Sequence, residues 1–157
     1  MTEKEPQVLQ DDDYSNLIKL LQKNRDDFLD YEYDARDSNL RYLFYSSARM
    51  KEIYLRSSDI VFINKRLTQN RFNRPIILWF NVSNTGQSQL IALAMVEREE
   101  TAAFARVSKA FLKHMGNVSP QTIIIERQLK LFQALQDTMH SSTVLFCYYH
   151  IWRTLKT

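Results

Sequence analysis

Ser58-Asp59-Ile60-Val61-Phe62-Ile63-Asn64-Lys65-Arg66-Leu67, followed by Pro75-Ile76-Ile77-Leu78-Trp79-Phe80-Asn81-Val82 and Ser88-Gln89-Leu90-Ile91-Ala92-Leu93-Ala94-Met95-Val96, is the stretch on which the fold turns. All three runs are rich in branched and aromatic residues and are separated by polar turn clusters, which is the composition of successive strands in one sheet. Runs so nearly continuous in apolar residues predict strands covered on both faces. The first run carries a polar residue, Asn64, where it leaves its apolar stretch, and strand ends of that kind are where sheets present chemistry.

Outward from these runs, residues 68–75 are long for a tight hairpin and end at Pro75, which cannot donate to a ladder, so they read as an exposed loop or strand edge. Ser83 to Gln87 holds Gly86 where a positive backbone angle suits a turn, which makes the three strands an antiparallel meander. Phe104, Val107, Phe111, Leu112 and Met115 recur at helical spacing over Thr101 to Met115, and Gly116 stands where a left-handed C-terminal cap belongs. Thr122 to Glu126 reads as a buried strand ending in a carboxylate. Leu129, Phe132, Leu135 and Met139 mark a second amphipathic helix, Thr143 to Tyr149 a further strand, and His150 to Thr157 the opening turns of another helix. Phe104, Val107, Phe111, Ile124, Phe132 and Leu135 are the expected core.

Upstream, Leu17, Ile18, Leu20 and Leu21 follow a capping Ser15 as a short helix. Phe28 to Tyr33 and Leu40 to Tyr45 form a tyrosine-rich hairpin about Asp37-Ser38-Asn39, and Ala48 to Leu55 is a short helix leading into the first core strand. Residues 1–13 are acidic and aperiodic, a mobile tail; residues 14–57 are a helix-hairpin-helix leader; residues 58–157 are the main domain. In that domain the order strand, strand, strand, helix, strand, helix, strand, with right-handed crossovers, lays the later strands parallel to the first beyond its free edge. The result resembles the ribonuclease-H-like α/β class: a mixed sheet with flanking helices, preceded by a small helix and hairpin. The first strand and the Thr122 to Glu126 strand are then parallel neighbours, and their ends bring Asn64 and Glu126 within about one strand spacing, ~4.8 Å between backbones.

With 157 residues, 45% hydrophobic and 25% charged, the chain suits one globular domain that needs no metal or disulfide to hold it. The net charge of +3 does not by itself diagnose a nucleic-acid partner, although Lys65, Arg66, Arg71 and Arg74 gather around the first turn. A single cysteine, Cys147, excludes an internal disulfide framework and suits a reducing compartment. No run approaches the ~20 apolar residues that span a bilayer, so no membrane partner is expected.

From Arg41 to Thr157 the chain resembles the Mutator-like element (MULE) transposase domain and its domesticated plant relatives of the far-red-impaired-response type. Leu43-Phe44-Tyr45-Ser46-Ser47-Ala48-Arg49 is similar to the family's leader, Asp59 to Asn64 to its first catalytic strand, and Asn70 to Pro75 to the turn after it. Asn81 to Ser88 resembles the second turn, Phe111 to Gly116 the end of the first helix, Pro120 to Glu126 the second catalytic strand, and Cys147-Tyr148-Tyr149-His150 the cysteine-x-x-histidine signature. The resemblance implies a nuclear, DNA-cutting and DNA-joining enzyme. Such an enzyme uses two divalent metals, Mg²⁺ or Mn²⁺, held by two aspartates and a later glutamate. Here Asn64 occupies the first acidic position, Glu126 the second, and Gln128 stands where many relatives carry a further aspartate. The third acid would lie on a helix beyond Thr157, so the main domain is expected to be truncated before it and to hold no metal as it stands.

Several readings stay open. Asn64 and Glu126 are either a residual metal site or polar strand ends inherited from one; Cys147 and His150 are either a metal pair or a buried thiol and a hydrogen-bonded histidine. Lys65, Arg66, Arg71 and Arg74 either contact phosphates or form a solvated loop. The expected function is a transposable-element-derived transposase domain without strand-transfer activity. The alternatives are a domesticated DNA-binding or transcription-regulating module, and a nuclease whose third acid comes from a longer product. The sequence leaves the oligomeric state open.

Overall fold

Hydrophobic periodicity lays down the elements in order: α1 (Asp12–Leu21), β1 (Phe28–Asp34), β2 (Asn39–Ser46), α2 (Ala48–Arg56), β3 (Ile60–Arg66), β4 (Ile76–Val82), β5 (Ser88–Val96), α3 (Thr101–His114), β6 (Thr122–Ile125), α4 (Leu129–Thr138) and β7 (Thr143–Phe146). The structure, a computed structural model, describes residues 12–66, 74–148 and 155. The expected acidic tail through residue 11, most of the last helix and the turn residues 67–73 lie outside the described residues.

Seven strands form one sheet in the order β1-β2-β5-β4-β3-β6-β7. β3, β4 and β5 are the antiparallel meander, and β6 and then β7 add in parallel beyond β3. This is the ribonuclease-H-like arrangement. The tyrosine hairpin joins the same sheet, since Tyr42 to Tyr45 pair with Val96 to Leu93 of β5. Without it the outer edge of β5 would leave its backbone groups unpaired.

Alternation along the strands sorts side chains to two faces. One face meets α2, α3 and α4 in the main core, where Val61, Ile63, Ile77, Trp79, Ala92, Ala94, Ile123 and Ile125 are all buried. Phe111 of α3 is its centre: its ring stacks on Trp79 at 4.4 Å between centroids and meets Tyr54 of α2 edge-on at 5.0 Å. Gly116, with φ of 66°, then turns the chain out of α3 as the sequence predicts. Asn81 of β4, fully buried on this face, donates through Nδ2 to the carbonyls of Ile53 and Ser57, both at 3.0 Å. One amide thereby satisfies two orphan carbonyls at the end of α2.

On the opposite face α1 lays Tyr14 and Ile18 over Leu40, Leu43 and Met95 at the hairpin end. Among the described residues it is the only helix there, and the outer sides of β3 and β6 meet no described helix. Phe104, Val107, Phe111 and Leu135 are buried together as expected, but Ile124 belongs to the other face and is only half-buried. Phe132 is also half-buried, packed against Phe146 at 5.5 Å. β7 stops at Phe146 rather than Tyr149, because its last paired residue faces Ile125, the last residue of β6; Tyr148 is already helical.

Phe111→Ala should cost ~3 to 5 kcal/mol, read as a lowered denaturant midpoint, because it empties the ring site shared by β4, α2 and α3. A second expectation concerns His114, which ends α3 buried and stacked on Phe28 at 5.0 Å. Burial chiefly, with Lys51 adding to it, holds its imidazole below the usual 6.5, against the opposing pull of the Ser47 backbone and Asp27. The unfolded chain therefore binds the proton more readily than the native one. Stability should be full above 6.5 and fall as pH drops from there to the lowered native value, then level off before the carboxylates titrate. Urea titrations across that window should show this slope, and His114→Gln should abolish it.

Candidate functional site

The parallel pairing of β3 with β6 sets the geometry. Its register runs from Ile60 opposite Thr122 to Ile63 opposite Ile125, and β6 continues to β7 with Ile125 opposite Phe146. The next residues along, Asn64, Glu126 and Cys147, consequently stand side by side at three adjacent strand ends. The Cys147 backbone N–H donates to the Ile125 carbonyl at 2.7 Å, which holds that corner, and its thiol is free and half-buried. His150, the other half of the cysteine-x-x-histidine pair, lies outside the described residues.

Asn64 is half-buried and, with Ile63 and Lys65 turned toward the helices, projects to the opposite face together with exposed Arg66. Glu126 is half-buried too. With Lys65, Gln128, Ile63, Phe104 and Leu131 it lines a cavity of about 60 Å³ between the strand ends and the helices. Gln128 has a structural task here: its Oε1 accepts from the Lys130 backbone N–H at 3.4 Å and caps α4.

The four basic residues that the sequence groups together have different destinations. Lys65 is paired with Glu99, Nζ to Oε1 at 2.5 Å, and both side chains are mostly covered. Arg74 is a strut: its guanidinium donates to the Asn39 side-chain oxygen at 2.5 Å, the Glu97 carbonyl at 3.2 Å and the Tyr14 hydroxyl at 3.3 Å. It ties α1, β2 and the end of β5 together. Arg66 is exposed, and Arg71 lies outside the described residues. Sequence reasoning passed over Arg127, exposed directly after Glu126; its only signal was that adjacency.

A pair of hard divalent ions needs several anionic oxygens within reach. Asn64 contributes a neutral amide oxygen and Glu126 one carboxylate. Among the described residues no three His, Cys, Asp or Glu side chains group closely enough to hold a metal. Asn64 and Glu126 alone do not fit a two-metal centre.

Residues 61–154 match the family model described as MULE transposase domain, more than half of the chain. Protein FAR-RED IMPAIRED RESPONSE 1 of Arabidopsis thaliana is 25% identical over 115 residues, 73% of this chain and 14% of that protein. Protein FAR1-RELATED SEQUENCE 6 of the same plant is 26% identical over 126 residues, 80% of this chain and 18% of that protein. The chain thus spans less than a fifth of these curated relatives. Among solved structures, the HTLV-2 integrase catalytic core domain in complex with magnesium is 15% identical, with a TM-score of 0.39, over 65% of this chain and 67% of that one.

Restoring charge at the strand ends should create what the present residues lack. Asn64→Asp with Glu126→Asp places two carboxylates at neighbouring strand ends, where they repel unless a cation lies between them. Calorimetric titration should show the double variant binding Mn²⁺ more tightly than the parent; equal affinities would mean that the two side chains do not converge.

Proposed function

The chain belongs to the MULE transposase domain family, and from that membership we propose that it is a transposase-derived domain that holds DNA in the nucleus without cutting or joining it. The observation that carries the reading is Asn64. Asn64 follows Ile63 on β3 and Glu126 follows Ile125 on the parallel neighbour β6, so an amide ends one strand and a single carboxylate ends the next. An amide keeps an oxygen for coordination but carries no charge, and phosphoryl transfer with two metals depends on charge that draws both ions in and holds them.

What supports contact with DNA is the same end of the sheet. Arg66 and Arg127 are exposed on either side of the Asn64 and Glu126 strand ends, free to meet phosphate oxygens. Lys65 and Arg74 are already engaged by Glu99 and by Asn39 and Tyr14, so they shape the surface more than they add charge to it. Contacts of this kind position a duplex without reading its bases, and each releases condensed counterions. The domain in this reading is a backbone-binding platform, with sequence choice left to other parts of a longer protein.

Fluorescence anisotropy with a labelled duplex, titrated across salt and followed by gel analysis after incubation with Mn²⁺, tests both halves. Affinity should fall linearly on a log–log plot against salt, Arg66→Ala should make that slope shallower by ~0.9, and the duplex should stay intact. Cleavage by the unaltered protein would overturn the inactive reading, and binding indifferent to salt or absent would overturn the DNA reading.

A further inference from the structure

Asn64 leaves one face of β3 without charge at its end, and the next residue acts on the other face. Strand alternation turns Lys65 inward with Ile63, and it stands opposite Ile77 of β4. Its side chain lines the cavity of about 60 Å³ at the strand ends together with Ile77, Phe104 and Glu126. The apolar stem of a lysine suits such a wall, whereas its ammonium needs an anion or water. Here the ammonium meets Glu99 Oε1 at 2.5 Å, with the two side chains 25% and 29% exposed. That oxygen is fully buried and, among the described residues, no hydrogen-bond donor reaches it apart from this ion pair.

Two carboxylates therefore flank the helix side of the strand ends, Glu126 after β6 and Glu99 between β5 and α3. Hard divalent ions seek such oxygens. Two positive side chains already answer them, Lys65 from within and exposed Arg127 at the cavity wall, so the charges cancel before any ion arrives. A protonated amine has three donors and no lone pair to offer a metal. It repels an incoming divalent ion, and does so more strongly in a covered cavity than in water. Nor can it swing aside freely, because withdrawal would strand the buried Glu99 oxygen without a partner.

We propose that the Lys65 ammonium is the built-in cation of this strand end: held by Glu99 and set in the same cavity as Glu126, it supplies the positive charge that a divalent ion would otherwise bring to these carboxylates, and it keeps such an ion out. The cavity has room for only a few waters, so the ammonium and a partly hydrated divalent ion exclude each other by volume as well as by charge. Asn64 and Lys65, neighbours in sequence on opposite faces of β3, thus act in the same direction. One offers no negative charge to a metal, and the other puts a positive charge where a metal would go. The inference deepens the reading of a domain that does not cut DNA, and rests on it.

Titration of the full chain with Mn²⁺, with the free ion counted by electron paramagnetic resonance, tests the proposal. Lys65→Met keeps the stem and removes the charge, and it should bind Mn²⁺ roughly tenfold or more tightly than the unaltered protein. Lys65→Arg keeps the charge and should show no gain. Adding Glu99→Gln or Glu126→Gln to Lys65→Met should reverse the gain, since each removes one of the two freed carboxylates. Circular dichroism checks that each variant is folded, and Lys65→Gln is read in place of Lys65→Met if the latter is not. Equal affinities of Lys65→Met and the unaltered protein would overturn the proposal, as would a gain that Lys65→Arg matches or that survives either glutamine. So would tight Mn²⁺ binding by the unaltered protein that Glu126→Gln removes. A labelled duplex incubated with Mn²⁺ separates the two readings: cleavage by the unaltered protein overturns the functional one, whereas an intact duplex with no gain in Lys65→Met overturns this inference alone.

Discussion

The ring of Phe111 is the contact that the remaining structure depends on. It stacks on Trp79 at the middle of β4, meets Tyr54 of α2 at 5.0 Å and reaches Phe44 of β2 edge-on at 6.4 Å. Four elements from widely separated parts of the chain thereby share one packing site, and offset or edge-on aromatic pairs add about 0.5 to 1.5 kcal/mol each to the area they bury. The consequence is positional. With α3 fixed over β4 and β2, the hairpin is held in the same sheet as the meander. The chain leaving α3 at Gly116 is then delivered to the free edge of β3, where β6 must pair.

That delivery determines the site. Parallel pairing of β6 with β3, and of β7 with β6, leaves no choice about which residues end side by side: one register step beyond the last pairs stand Asn64, Glu126 and Cys147. The fold therefore keeps the geometry of a strand-end centre whether or not the residues there can use it. Charge at this point can be altered without disturbing the core, since an amide and a carboxylate have nearly the same size and Asn64 is only half-buried. The charge at the strand ends and the fold that positions them are in this sense independent.

Much of this was legible in the sequence because it is local. Apolar runs of strand length, the 3.6-residue spacing of Phe104, Val107, Phe111 and Met115, and glycines at 86 and 116 each specify their own element, and both glycines have the positive φ that their turns require. The parallel placement of β6 followed from crossover handedness, and with it the nearness of Asn64 and Glu126. The destinations of long charged side chains did not follow. Lys65, Arg66 and Arg74 lie within ten residues, yet one is neutralised by Glu99 from beyond β5, one is exposed, and one braces Tyr14 and Asn39. Nothing local distinguishes them, because the partner of each is set by tertiary placement. The buried Asn81 was equally hidden: it sits in an apolar run, and its reason for being polar is the end of a helix that precedes it by two dozen residues.

The same limit explains the one general expectation that the described residues do not meet. A continuous apolar strand was read as one covered on both faces, and for β3, β4 and β6 the inward residues Ile63, Trp79 and Ile123 are indeed buried beneath helices. Their neighbours Phe62, Phe80 and Ile124 are just as apolar, and they lie on the other face in a single row. Apolar side chains in register across adjacent strands are not what solvent exposure selects, because an antiparallel strand facing water alternates with polar residues, as β1 does with Asp30 and Glu32 between Leu29, Tyr31 and Tyr33. The contrast between β1 and β3 within one sheet shows that the pattern is not a general tolerance for exposed apolar groups. The run from Ile60 to Ile63 encodes cover on both faces, and the sequence pattern records that requirement without naming the surface that meets it.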